Sequence, residues 1–133
     1  MKTVLVIDGD GDGDGVIAQQ ILADGRYSVR FLTRETDSDA AAWLRALGAD
    51  VVRGDLADRA SLRVALKGCI GVFGATNDGE HGRNLMNAIA ASEVEHFVLG
   101  TRNEELRSYA MRTLDVPATF IDPAAANVAA IFE

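Results

Sequence analysis

The sequence predicts a doubly wound α/β fold: a parallel sheet of about six strands in the order 3-2-1-4-5-6, with helices on both faces. Three observations lead there. Six short apolar runs alternate with amphipathic stretches at a spacing of about 20 residues. Several runs lack a polar alternate, as strands buried on both faces of a parallel sheet require. Glycine closes several helical stretches, at Asp24-Gly25, Gly48 and Lys67-Gly68. Strand–helix–strand units of this kind cross over right-handedly. A chain of 133 residues suits one hydrophobic core, so residues 1–133 read as a single domain.

The strands are expected at residues 3–7 (TVLVI), 28–33 (SVRFLT), 50–53 (DVVR), 69–74 (CIGVFG), 95–99 (EHFVL) and 118–121 (ATFI). Between them, residues 16–23 place Ile17, Ile21 and Leu22 at helical spacing. Residues 39–47 place Trp43, Leu44 and Leu47 on one side, and residues 61–66 carry Leu62, Ala65 and Leu66. Helices are expected again at 82–91, with Leu85, Met86 and Ile89, and at 104–114, with Leu106, Tyr109, Ala110 and Leu114. A last one is expected at 123–132, with Pro123 in its first turn. Trp43 and the phenylalanines sit at core-like spacing and read as packing.

Composition narrows the partners. With 13 Lys and Arg against 20 Asp and Glu, the formal charge is −7. That balance disfavours nucleic acid and anionic membranes, both of which ask for clustered cations. No apolar run has the length of a membrane span, and the N-terminus lacks the long apolar core of a signal peptide. The single cysteine, Cys69, has no disulfide partner and reads as a packed thiol, so a reducing cytoplasm is the expected location.

The unusual segment is the strict alternation from Asp8 to Gly15, between the first strand and the first helix. In Rossmann-like domains that turn holds a dinucleotide's pyrophosphate. Glycines let the backbone approach, and the helix N-terminus supplies amide donors. Gly9, Gly11, Gly13 and Gly15 are the candidates. The G-x-G-x-x-G fingerprint breaks at Asp14 in one register and at Val16 in another; the relaxed form ending in alanine fits Gly13, Gly15 and Ala18. A carboxylate about 6 Å from a phosphate charge costs on the order of 0.7 kcal/mol in water and about 3 kcal/mol at an effective dielectric near 20. Three readings stay open: a solvated acidic turn that complements the helix dipole, a phosphate cradle, and a cation site. For the last, Asp8, Asp10, Asp12 and Gly13 match the opening of a calcium loop, with Gln19 where its closing Glu would stand. Ca²⁺ or Mg²⁺ on Asp8, Asp10, Asp12 and Asp14 is that candidate.

Other candidate cofactor contacts follow the later strands. Thr33 and Arg34 end the second strand, where an arginine accommodates the 2′-phosphate of NADP and an acidic residue would bind the ribose of NAD. Asp55 and Leu56 follow the third strand on the adenine side. Ala75, Thr76 and Asn77 follow the fourth on the nicotinamide side, where Thr76 and Asn77 are candidate hydrogen-bond donors.

The order TVLVI, GRYSVRFLTR, LGADVVRGDLAD, ALKGCIGVFGATN, VEHFVL, VPATFI resembles the NmrA-like branch of the atypical short-chain dehydrogenase/reductases. Its most specific pieces are Phe31 to Arg34, Gly48 to Asp58 and Val116 to Thr119. The resemblance implies a Rossmann fold that senses NADP or NAD, often without turnover, and acts through protein partners. It carries Arg34 over as the 2′-phosphate contact and Gly11 as the middle glycine of the family's G-x-x-G-x-x-G loop. The outer glycines of that loop fall on Asp8 and Asp14. The family's substrate-facing lobe would follow the sixth strand, where this sequence stops, so no such lobe is expected. The reductases' Tyr-x-x-x-Lys pair is not matched either: Tyr109 is followed four residues on by Thr113, and Tyr27 by Phe31. His81 and His96 stand apart, without a Ser-His-Asp or zinc pattern around them. The leading expectation is a non-catalytic nucleotide-binding regulatory domain. An NADP-dependent oxidoreductase and a cation-binding or interaction module are the alternatives. A homodimer is expected, from residual apolar surface at an open sheet.

Overall fold

The computed structural model describes residues 1–7 and 15–121. Its strands are β1 (Thr3–Ile7), β2 (Ser28–Thr33), β3 (Asp50–Arg53), β4 (Cys69–Ala75), β5 (His96–Gly100) and β6 (Ala118–Ile121). The helices between them are α1 (Val16–Asp24), α2 (Asp39–Ala46), α3 (Arg59–Leu66), α4 (Gly79–Ala90) and α5 (Glu104–Thr113). All five strand pairings are parallel, in the order β3-β2-β1-β4-β5-β6. This is the expected doubly wound topology. Residues 123–132, expected to be helical, lie outside the described residues.

Strand alternation divides the core into two layers. Leu5 and Ile7 of β1 face one way, with Val72, Leu99 and the buried stripes of α3, α4 and α5: Leu62 and Leu66, Leu85 and Ile89, Leu106 and Ala110. Val4 and Val6 face the other way, with Phe31, Phe73 and Val98, against Ile17 and Ile21 of α1 and Leu44 of α2. β1 is buried almost throughout, from Val4 at 0% exposed to Ile7 at 3%. Its lack of polar alternates is therefore a consequence of helices covering both faces.

Local chemistry sets the helix starts. Ser38 Oγ accepts from Ala41 N, Asp58 from Ala60 N and Ser61 N, Asp78 from His81 N, and Asn103 from Glu105 N. Each cap satisfies backbone donors that the first turn leaves unpaired. The Asp78 cap starts α4 at Gly79, three residues before the expected 82. The Asp58 cap likewise moves α3 forward to Arg59. The His81 N–H bond to the Asp78 carboxylate holds that acid below its usual range.

Two expectations about the core change. Trp43 and Leu47 are 43% and 46% exposed, because α2 turns Ala41 and Leu44 toward the sheet. Phe120 on β6 is only half-buried, with the Arg107 guanidinium 5.6 Å from its ring centre. Cys69 is the packed thiol expected, and burial raises its pKa. Among the described residues, no helix is long and apolar enough to cross a membrane.

Candidate functional site

The carboxyl ends of the strands form the rim where a doubly wound sheet offers a ligand crevice, at the switch between β1 and β4. On the β2–β3 side, Thr33 and Arg53 are register partners. Thr33 is 1% exposed; its Oγ1 accepts from Glu35 N and its carbonyl accepts from Gly54 N at 3.0 Å. The two strand ends are thus tied together just where Arg34 and Arg53 emerge. Both arginines are exposed and line a cleft of about 350 Å³ with Gly54, Asp55, Asp58 and Ser61.

The wall of that cleft is a tight turn. Asp55 N donates to Ser61 Oγ at 3.2 Å, and Ser61 Oγ donates to the Asp58 carbonyl at 2.8 Å. The Asp55 carboxylate accepts from Ala57 N. A Cβ on Gly54 would lie 2.6 Å from Leu32 Cδ1 and 2.8 Å from Ser61 Cβ, so glycine is what lets α3 begin against β2. Leu56 is buried in the core, and its carbonyl accepts from Asn84 Nδ2 at 3.0 Å.

At the centre, Gly15 caps α1 in the left-handed conformation, φ +69°. It is buried, and a Cβ there would sit 2.8 Å from Leu44 Cδ1. Both conditions demand glycine. Gly9, Gly11 and Gly13, and the cation candidates Asp8, Asp10, Asp12 and Asp14, lie outside the described residues. Among the described residues, no group of three metal-binding side chains occurs.

On the β4–β5 side, Ala75 ends β4 as the register partner of Gly100. Thr76 is 3% exposed; its backbone donates to the Gly100 carbonyl, and its Oγ1 accepts from Asp78 N. Asn77 is exposed and joins the two loops. Its Oδ1 accepts from Arg102 N at 2.7 Å and Thr101 Oγ1 at 3.2 Å, while its carbonyl accepts from Asn103 Nδ2 at 3.0 Å. Because Arg102 N can only donate, the amide oxygen must face it, and Nδ2 is left as the Asn77 donor.

The candidates Gly15, Thr33, Arg34, Asp55, Ala75, Thr76 and Asn77 are therefore spread along one rim, with Leu56 in the core behind it. Reading the sequence overlooked Arg53, Ser61 and Asn84. Parallel pairing of β2 with β3 was the available signal for Arg53: it ends its strand beside Thr33. Tyr109 is elsewhere, on α5, with its OH donating to Asn87 Oδ1 at 2.7 Å. His81 lies in the first turn of α4. His96 Nε2 meets Thr119 Oγ1 at 3.0 Å between β5 and β6, and burial lowers its pKa.

Comparison with known proteins agrees with this architecture. The NmrA-like family matches residues 1–118. The chain is 37% identical over 79 residues to the NmrA-like family domain-containing oxidoreductase notA of an Aspergillus species, covering 59% of this chain and 23% of that protein. It is 30% identical over 108 residues to an NmrA-like family domain-containing protein of Dictyostelium discoideum, covering 75% of this chain and 36% of that one. Among solved structures, AtPrR2 in apo form superposes with a TM-score of 0.77 at 25% identity, over 94% of this chain and 49% of that one. The NmrA negative transcriptional regulator gives 0.74 at 17%, over 90% and 44%. Citrobacter sp. triphenylmethane reductase complexed with NADP(H) gives 0.72 at 20%, over 90% and 48%. The chain thus spans about a quarter to a third of those curated relatives and just under half of those solved chains. Its match across residues 1–118 and its parallel six-stranded sheet lead to one assignment: this chain belongs to the NmrA-like family and has its Rossmann fold.

Proposed function

We propose that this chain is a cytoplasmic nucleotide-binding regulatory domain that takes NADP or NAD along the carboxyl rim and acts without turning it over. The observation that carries the reading is the cleft at the ends of β2 and β3, where Arg34 stands at the position that decides between cofactors. The dinucleotide would lie across the switch point, with its adenosine end at Thr33, Arg34, Asp55 and the turn held by Leu56. Its pyrophosphate would lie at the Gly9 to Gly15 loop, and its nicotinamide end near Ala75, Thr76 and the Asn77 amide. A structural neighbour complexed with NADP(H) supports a dinucleotide as the ligand by fold analogy. Bound nucleotide supplies hydride chemistry in reductases. What the residues here do is bind and orient it.

The absence of turnover is argued from Tyr109. Its hydroxyl is engaged with Asn87, and Thr113 stands where the lysine of a reductase pair would be. A protein partner that reads the nucleotide-bound state completes the proposal. The second reading, an NADP-dependent oxidoreductase, is favoured by the oxidoreductase names among the relatives.

Thermal shift and spectroscopy on the same protein separate these. Ligands that bind only the folded state raise the melting temperature. The proposal expects a shift with NADPH and steady NADPH absorbance in the presence of carbonyl and quinone substrates. Consumption of NADPH would establish the oxidoreductase. A shift with Ca²⁺ or Mg²⁺ alone would move the function to the Asp8 to Gly15 loop.

A further inference from the structure

We infer that the outer face of α2 is a self-association surface, on which a second copy of this chain packs its own α2 antiparallel. The inference is independent of the nucleotide reading.

A helix lying on a sheet ordinarily turns polar residues outward. α2 does not. Between Asp39 and Leu47 every residue except Arg45 is apolar. Ala41 and Leu44, both 0% exposed, face the sheet. Ala42, Trp43, Ala46 and Leu47 are all exposed on the other side. An apolar helix of this kind asks for cover on both faces, and among the described residues only one face has it.

The shape of the exposed face suits a copy of itself. Trp43 and Leu47 stand one turn apart and form a ridge. Ala42 and Ala46, each one residue earlier, form a low row beside it. Helices pack by seating a ridge of one in the groove of the other. About a two-fold axis, each copy seats its Trp43 ridge over the alanine row of the other, and both contacts form at once.

Charge sets the direction. Asp39 lies in the first turn of α2 and Arg45 in the last. Both are exposed, and among the described residues neither makes an ion pair or a side-chain hydrogen bond. Antiparallel packing brings each Asp39 to the end of the other helix that carries Arg45, twice in one interface. Parallel packing would set like against like. Four apolar side chains and two charges make a smaller contact than the roughly 20 residues a side of a stable interface. The pair is therefore a weak dimer that forms as concentration rises. α2 runs from the carboxyl end of β2 to the amino end of β3, so the two carboxyl rims point to opposite ends of the pair and both stay open.

Trp43 is the single tryptophan of the chain, so its emission reports on this face alone. Sedimentation equilibrium of the whole chain from about 1 μM to about 500 μM, with emission recorded on the same samples, tests the inference. Salt of about 0.15 M screens the net charge of −7. Wild type is expected to pass from monomer to dimer mass, with emission moving to shorter wavelength in step. Leu47→Glu should weaken association by on the order of tenfold or more, because it buries a charge in the seam. Asp39→Arg and Arg45→Glu should each weaken it by on the order of tenfold, since like charges then meet. Mixed in equal amounts, those two variants should associate about as tightly as wild type, because each supplies the charge the other lacks. All three positions are exposed, and thermal melts check folding. Monomer mass at every concentration overturns the inference. So does a dimer indifferent to Leu47→Glu, which uses another face, or a mixture of the charge variants no tighter than either alone. An emission shift that appears only with phosphatidylcholine vesicles, while the mass stays monomeric, gives the face to lipid and overturns it as well.

Discussion

Asn84, 5% exposed on α4, donates from Nδ2 to the carbonyl of Leu56 at 3.0 Å. Its Oδ1 accepts from Arg59 Nε at 3.1 Å. One buried amide thus fixes the turn after β3, the turn that walls the arginine cleft, to a helix 28 residues along the chain. Replacing it strands a buried acceptor, which costs about 1–3 kcal/mol. Asn84→Ala should therefore lower the urea midpoint by that amount of stability. Asn84→Asp should not recover it, because aspartate accepts from Arg59 but cannot donate to Leu56. A loss below about half a kcal/mol, within the range of an ordinary surface substitution, would mean the turn holds its shape without Asn84.

Gly54→Ala tests how closely α3 approaches β2. The added carbon would meet Leu32 Cδ1 at 2.6 Å and Ser61 at 2.8 Å. Overpacking of this kind costs about 1–3 kcal/mol. The same displacement should widen the arginine cleft, so NADP⁺ affinity should fall together with the melting temperature. A variant as stable as wild type would show that the turn has room the geometry denies it.

His96 gives a pH dependence. Burial lowers its pKa from 6.5, and its ring faces Thr119, with Glu95 adjacent in the chain. The folded state therefore favours the neutral ring. Its stabilisation is complete above the unfolded pKa and is lost as pH falls from 6.5 through the lower folded value. Asp24 and Asp78, both held below 3.8, come into play only in more acidic solution. Chemical denaturation at intervals between pH 7 and pH 5 should show declining stability, and His96→Gln should flatten that decline. Parallel slopes for the two proteins would assign the effect to other groups.

Tyr109→Phe separates binding from catalysis. Its hydroxyl donates to Asn87 between α5 and α4, and it does not line the cleft at the ends of β2 and β3. Removing it should cost about 1 kcal/mol of stability and leave NADP⁺ affinity within about twofold. A large loss of affinity, or loss of a measurable NADPH oxidation, would place this tyrosine in the site.

The strands and their order were legible in the sequence because burial on both faces writes itself into a run such as TVLVI without alternation. Helix stops were legible through Gly25, Gly48 and Gly68, all at positive φ. The start of α4 was not: Gly79 and Gly82 weaken the local helical signal, and the cap Asp78 lies before them. Trp43 was misjudged because helical spacing defines a stripe but not which side of it meets the sheet. At the candidate site, the place of Arg34 at the cleft was legible from its position after a strand. Arg53 was not, since its meaning comes from pairing with a strand 20 residues earlier. Asn77 was read as a donor, and with its oxygen accepting from Arg102 N and Thr101 Oγ1 its NH₂ group is oriented as that donor. The Asp8 to Asp14 segment lies outside the described residues, so its three readings are weighed by ligand binding.

The most direct measurement is calorimetric titration of the whole chain with NADPH, with absorbance followed on the same mixture and Arg34→Gln as the comparison. Saturable one-to-one binding, weakened by Arg34→Gln, with NADPH absorbance unchanged over hours, is the predicted result. No heat of binding, or binding indifferent to Arg34, would contradict the assignment of the rim to a dinucleotide.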